Sequence, residues 1–172
     1  MAVLIRDSQR SLRTDKKRIK TIIEDLLISL GLQGKTLSIL FVNNRTIKKM
    51  NKSWFDKDKP TNVISFSYIG SSPAFPQDGC GKRTPMKADQ SAELIGDIVI
   101  SLEKAREEAE KAGRPFYERL FALVIHGLLH TLGFDHEVAR NEARRMKYRE
   151  QKLLGYVRAH GLYKDLALVG GP

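Results

Sequence analysis

Residues 116–136, FYERLFALVIHGLLHTLGFDH, decide how the chain is read. Phe116, Leu120, Leu123, Val124 and Leu128 recur every three or four positions, the apolar stripe of a helix. Pro115 stands at a helix-start position. Gly133 closes the helix, because glycine adopts the positive φ of a sharp exit turn. His126 and His130 are four residues apart, so both imidazoles lie on one face, one turn apart. The turn at Gly133 carries His136 back toward them.

A pair of histidines at this spacing can be an accident of packing. Here three of the chain's four histidines fall within eleven residues, on an otherwise apolar helix where an unpaired imidazole would be costly to bury. The spacing His-x3-His-x2-Gly-x2-His matches the metal site of metzincins. Three neutral imidazoles with a fourth position open suit one catalytic Zn²⁺, while Ni²⁺ or another divalent ion also satisfies the ligand set. The catalytic agent would be water on the metal, acidified to a pKa near ~7. A peptidase of this type carries Glu directly after the first histidine, and here that residue is Gly127. Gly127 costs ~1 kcal/mol relative to alanine inside a helix, so its expected use is to let a strand pack close. Asp135 has two readings: an acceptor that orients a ligand imidazole, or the cap of the next helix. His160 reads as a solvated surface residue.

Outward from this segment, residues 2–7, 36–42, 62–68 and 95–100 read as strands. A helix carrying Ile19, Ile22, Ile23, Leu26, Leu27 and Leu30 ends at Gly31. A second is capped by Asn44, carries Ile47, Met50, Asn51 and Trp54, and is stopped by Pro60. A third is capped by Ser101 and closed by Gly113. A basic helix runs from about Glu137 to Leu154 and ends at Gly155. Residues 166–172 read as a flexible tail behind a single domain over 1–165. The expected fold is an α/β (α+β) domain, a small four-stranded mixed sheet flanked by about five helices. Residues 70–92, rich in Gly, Ser and Pro, make a loop long enough to be either functional or disordered.

The 172 residues suffice for one domain with a real core. No stretch approaches the ~20 apolar residues of a membrane helix, and the start turns charged too early for a secretory signal. Cys80 is the lone cysteine, so a cytoplasmic protein without internal disulfides is expected. The net charge of +10 favours polyanionic partners, nucleic acid before membrane. Lys57 and Lys59, beside Pro60, are candidates for phosphate contacts. So is the helix bearing Arg140, Arg144, Arg145, Lys147, Arg149 and Lys152, although Glu137, Glu142 and Glu150 offset part of it. A basic surface beside a hydrolytic metal is what an RNA- or DNA-cleaving enzyme needs.

His126-Gly127-Leu128-Leu129-His130-Thr131-Leu132-Gly133-Phe134-Asp135-His136 resembles the signature of the YbeY family of rRNA-maturation endoribonucleases. Lys59-Pro60-Thr61-Asn62-Val63-Ile64-Ser65-Phe66 and Leu94-Ile95-Gly96-Asp97-Ile98-Val99-Ile100 resemble two further family segments, and the three blocks cover roughly residues 36–155. The resemblance implies a metal-dependent, single-strand-specific endoribonuclease. It would act in 16S rRNA 3′-end maturation and ribosome quality control, with the rRNA precursor and the small ribosomal subunit as partners. It implies a four-stranded mixed sheet flanked by helices, and the three histidines carry over position by position as ligands. Two positions depart from the pattern. Phe55 stands where the family usually has an arginine, and Ser67 where a proline is common. The alternative is a non-catalytic assembly factor that binds rRNA around a structural metal. A hydrolase with another substrate is a third, weaker reading.

Overall fold

The computed structural model describes residues 2–69, 94–134 and 140–169. The segment 70–92 with Cys80, the motif residues Asp135 and His136, and residues 170–172 lie outside the described residues. In chain order the elements are β1 (Ala2–Asp7), α1 (Lys16–Ser29), β2 (Thr36–Val42), α2 (Asn44–Phe55), β3 (Val63–Ser67) and β4 (Leu94–Ser101). These are followed by α3 (Leu102–Lys111), α4 (Phe116–Thr131), α5 (Arg140–Ala159) and α6 (Gly161–Val169).

The strand order is β1-β2-β4-β3. β1 and β4 both run parallel to β2, and β3 closes the sheet antiparallel to β4. The inner strands are those with the most continuous apolar runs, as strands covered on both faces must be: Leu37, Ile39, Phe41 and Val42 in β2, and Ile95, Ile98, Val99 and Ile100 in β4 are all buried. The register between them slips at the start, where Thr36 faces Leu94 but Leu37 faces Gly96. Gly96, Ile98 and Ile100, alternate residues of β4, share the face on which α4 packs.

The large core lies on that face, with side chains from α1, α3, α4, α5 and α6. On the opposite face α2 builds a smaller cluster from Val42, Ile47, Ile64 and Val99, with Trp54 and Phe66 packed against it.

The elements differ from the sequence reading in four places. Asn43, not Asn44, caps α2, its side chain accepting from the Thr46 N–H at 2.8 Å. Asn44 is drawn away by Ser101 and Glu107, which bond its side-chain oxygen and nitrogen. α2 ends at Asp56, whose φ of 53° is left-handed, before Pro60 is reached. α5 runs through Gly155 to Ala159, because Val157 continues its buried stripe and is 0% exposed. A sixth helix covers Gly161–Val169, and Leu166, expected in a loose tail, is 2% exposed against the core.

Candidate metal centre

α4 is buried on nearly every side, Phe116, Leu120, Phe121, Val124, Ile125 and Leu128 among its core residues. Its close approach to the sheet depends on two glycines. A Cβ on Gly127 would lie 2.9 Å from Ile98 Cγ2, so the expected packing of a strand against this position is observed. A Cβ on Gly96 would lie 2.4 Å from the Phe66 carbonyl oxygen and 2.5 Å from Thr131 Cγ2. The end of α4 is also tied to β3 by Ser67, whose hydroxyl donates to the Thr131 carbonyl at 2.7 Å. Gly133 has φ +87°, and Phe134 N–H returns to the Leu129 carbonyl at 3.0 Å, the expected exit turn.

His126 and His130 occupy the part of α4 that the core leaves half exposed. Their Nε2 atoms lie 3.2 Å apart, with the rings inclined at 79°. Two imidazoles bound to one tetrahedral ion at ~2.0–2.1 Å place their nitrogens about 3.3 Å apart, so the pair fits a shared divalent ion. The other ring nitrogen of His126 meets Glu150 of α5, Nδ1 to Oε1 at 2.6 Å. With the ring N–H donated to this carboxylate, the Nε2 lone pair faces His130, the orientation a metal ligand needs. Among the described residues no three His, Cys, Asp or Glu side chains converge on one point. The structure thus supplies two histidines and an orienting carboxylate, and the expected third ligand, His136, is outside the described residues.

His126 lines a cavity of about 410 Å³, with Asn62, Arg119, Lys147, Glu150 and Gln151 among the other residues of its wall. Arg119 lies two turns before His126 on α4. It makes a forked contact with Glu108, Nε at 2.9 Å and Nη2 at 2.7 Å. Glu108 also accepts from Asn62 Nδ2 at 3.2 Å, which fixes the chain entering β3 at the cavity edge. Arg119 and Gln151 also border a second hollow of about 670 Å³ between α3, α4 and α5. Its wall includes Glu118, paired with Arg114 at 2.7 Å and with Arg158 at 2.9 Å. Burial pushes the Glu118 carboxyl up, but the hydrogen bonds and charges of Arg158 and Arg114 outweigh it and hold it below the usual range.

Lys57 and Lys59 are exposed on the loop between α2 and β3. That loop is anchored by buried Asn51, whose side chain donates to the Lys59 carbonyl at 2.8 Å. Three residues on, Asn62 lines the cavity; neither lysine does. Phe55 stacks on Phe66 with centroids 6.5 Å apart, and Trp54 meets the same ring edge-on at 4.8 Å. His160 is not simply solvated: Nε2 pairs with Asp25 at 2.9 Å and Nδ1 accepts from Leu162 N–H, joining α1 to the start of α6.

Sequence reasoning missed Glu150 and Arg119. The signal for Glu150 was its place on the buried stripe of α5, since Met146, Glu150, Leu153 and Val157 follow helical spacing. A carboxylate there requires a partner.

The comparisons with known proteins agree with this architecture. The family model described as endoribonuclease YbeY matches residues 4–158. A protein named endoribonuclease YbeY from Geobacter metallireducens is 34% identical over 163 residues, covering 94% of this chain and 99% of that one. The protein of the same name from Bartonella bacilliformis is 37% identical over 159 residues, covering 88% and 90%. The solution structure of TM1509 from Thermotoga maritima superposes with a TM-score of 0.59 at 21% identity over 91% of this chain and 89% of that one, a likeness of fold. With a histidine helix docked on a four-stranded mixed sheet and a family match over most of its length, the chain belongs to the YbeY endoribonuclease family.

Proposed function

We propose that this protein is a metal-dependent, single-strand-specific endoribonuclease of the cytoplasm, acting on the 16S rRNA precursor in 3′-end maturation and in ribosome quality control on the small subunit. The observation that carries the reading is the His126–His130 pair, its nitrogens 3.2 Å apart, with His126 oriented by Glu150 and lining a cavity that holds two cationic side chains, Arg119 and Lys147. His126 and His130, joined by His136, would hold one divalent ion, with Zn²⁺ best suited to three neutral nitrogens. When bound, such an ion supplies Lewis acidity toward water and a phosphoryl oxygen. The chain's own residues do the rest. Glu150 holds the His126 proton on Nδ1. Lys147 and Arg119 attract the phosphates, while the Glu108 fork keeps Arg119 in place. Lys57 and Lys59 extend the positive surface along the loop toward Asn62. Asp135 would be a further orienting carboxylate or else the cap of the helix that follows. Position 127 carries no side chain, so the proton acceptor of a peptidase is missing.

The second reading, an rRNA-binding assembly factor, is favoured by one observation: Phe55 fills the position of the family arginine and stacks on Phe66. Cleavage of a defined single-stranded RNA separates the two. The wild-type protein should cut the strand, a chelator should stop it, and matched His130→Ala protein should be at least a hundredfold slower, the order of losing a ligand rather than an outer contact. Equal cleavage by His130→Ala would sink the metal assignment. Tight binding with no cleavage by metal-loaded protein would establish the binding factor.

A further inference from the structure

The outward face of α5 is not used by the site described so far. Between Arg140 and Lys152 the helix has six basic residues against two acidic ones, and one of the two, Glu150, is engaged with His126. Arg144, Tyr148 and Lys152 are spaced by four residues, so they form one stripe with about a turn between neighbours. All three are exposed, Tyr148 to 67%, the largest value for any aromatic ring among the described residues. Two other cations of α5 are engaged: Arg149 lies over the Phe134 ring at 4.5 Å, and Arg158 pairs with Glu118. Arg144 and Lys152 have no ion pair among the described residues.

An exposed aromatic ring between two uncommitted cations matches single-stranded nucleic acid, where bases stack on rings and phosphates take the charges. A duplex hides its bases and would gain only from the cations. A membrane surface fits poorly, because interfacial helices present an apolar face, whereas Met146, Leu153, Leu154 and Val157 of α5 are turned to the core. The stripe also joins the site. Lys147 and Gln151, which line the His126 cavity, stand next to Tyr148 and Lys152 in sequence, one step around the helix from the stripe.

We propose that this face of α5 is a platform for single-stranded RNA, on which Tyr148 stacks a base flanking the cut while Arg144 and Lys152 hold the neighbouring phosphates. The platform rests on the endoribonuclease reading and adds to it a path by which the strand reaches His126 past Lys147.

The test is the affinity of the full chain for a labelled single-stranded RNA of about ten nucleotides and for the matching duplex, with cleavage followed in parallel. Stacking of one base accounts for roughly a five- to 150-fold change on alanine substitution. Tyr148→Ala should weaken single-strand binding by that amount, leave duplex binding and melting temperature unchanged, and be rescued by Tyr148→Trp. Arg144→Gln with Lys152→Gln should weaken both ligands and flatten their salt dependence. Wild type that cleaves the strand while Tyr148→Ala binds and cleaves equally well overturns the platform alone. Equal losses for strand and duplex overturn the stacking role, and a loss confined to anionic vesicles overturns the choice of partner. Wild type that neither binds nor cleaves the strand overturns the parent reading, and the platform with it.

Discussion

α4 and α5 are neighbours with opposite designs. α4 is apolar around most of its circumference and exposes little besides its two histidines. α5 is basic and largely exposed, and it touches the core through a narrow stripe including Met146 and Val157. The site is made where they meet, at Glu150 and His126. Rigidity comes from one helix, and orientation and charge from the other. Ligand nitrogens need a fixed spacing, which a packed helix provides, while recognition of a long anionic strand needs solvent-facing cations.

Removing the contact between the helices should have the largest effect. Glu150→Ala frees the His126 ring and should lower metal affinity or cleavage by roughly ten- to a hundredfold, as loss of an orienting carboxylate does. Glu150→Gln, which still accepts a hydrogen bond, should fall between the two. Metal titration of the three proteins measures this; an alanine variant with wild-type affinity would show that α4 holds the site without α5.

The packed half of the comparison can be broken from beneath. Gly96→Ala forces a methyl against the Phe66 carbonyl and the Thr131 side chain. Overpacking of this kind costs about 1–3 kcal/mol, a fall in melting temperature of roughly 3–10 °C for a chain of this size. Thermal unfolding reads it, and an unchanged midpoint would mean that α4 can shift freely on the sheet.

A smaller effect belongs to Phe55, on the far side of the sheet from α4. Its stack on Phe66 is worth about 0.5–1.5 kcal/mol, and at 48% exposure the ring can be replaced without opening the core. Phe55→Arg should cost about that stability and steepen the salt dependence of single-stranded RNA binding by about 0.7 in the log–log slope, one extra phosphate contact. An unchanged slope would place the strand's path on the α5 side only.

What the sequence disclosed follows from the same contrast. α4 was legible because its periodicity, exit glycine and histidine spacing are all local. Even the purpose of Gly127 could be read, since a glycine inside an apolar helix implies close approach. Glu150 was not legible as a partner because it lies 24 residues from His126 on another helix, and among basic neighbours it read as charge balance. The cap of α2 was ambiguous between two adjacent asparagines, and distant Ser101 and Glu107 decided it. Gly155 misled because local propensity argued for an end, while burial of Val157 carried α5 onward. The strand order has no local signature at all.

That order has a consequence for the growing polypeptide. Among the described residues β4 is the last strand to be made, yet it sits between β2 and β3, and β3 pairs with no other strand. Until residues 94–101 have been synthesised, β2 and β3 both lack the described strand that joins them. The surface on which α4 docks, Gly96 and Ile98, arrives with β4 itself, just ahead of the helix that needs it. The histidines therefore cannot take their final setting on the sheet until β4 has paired between β2 and β3.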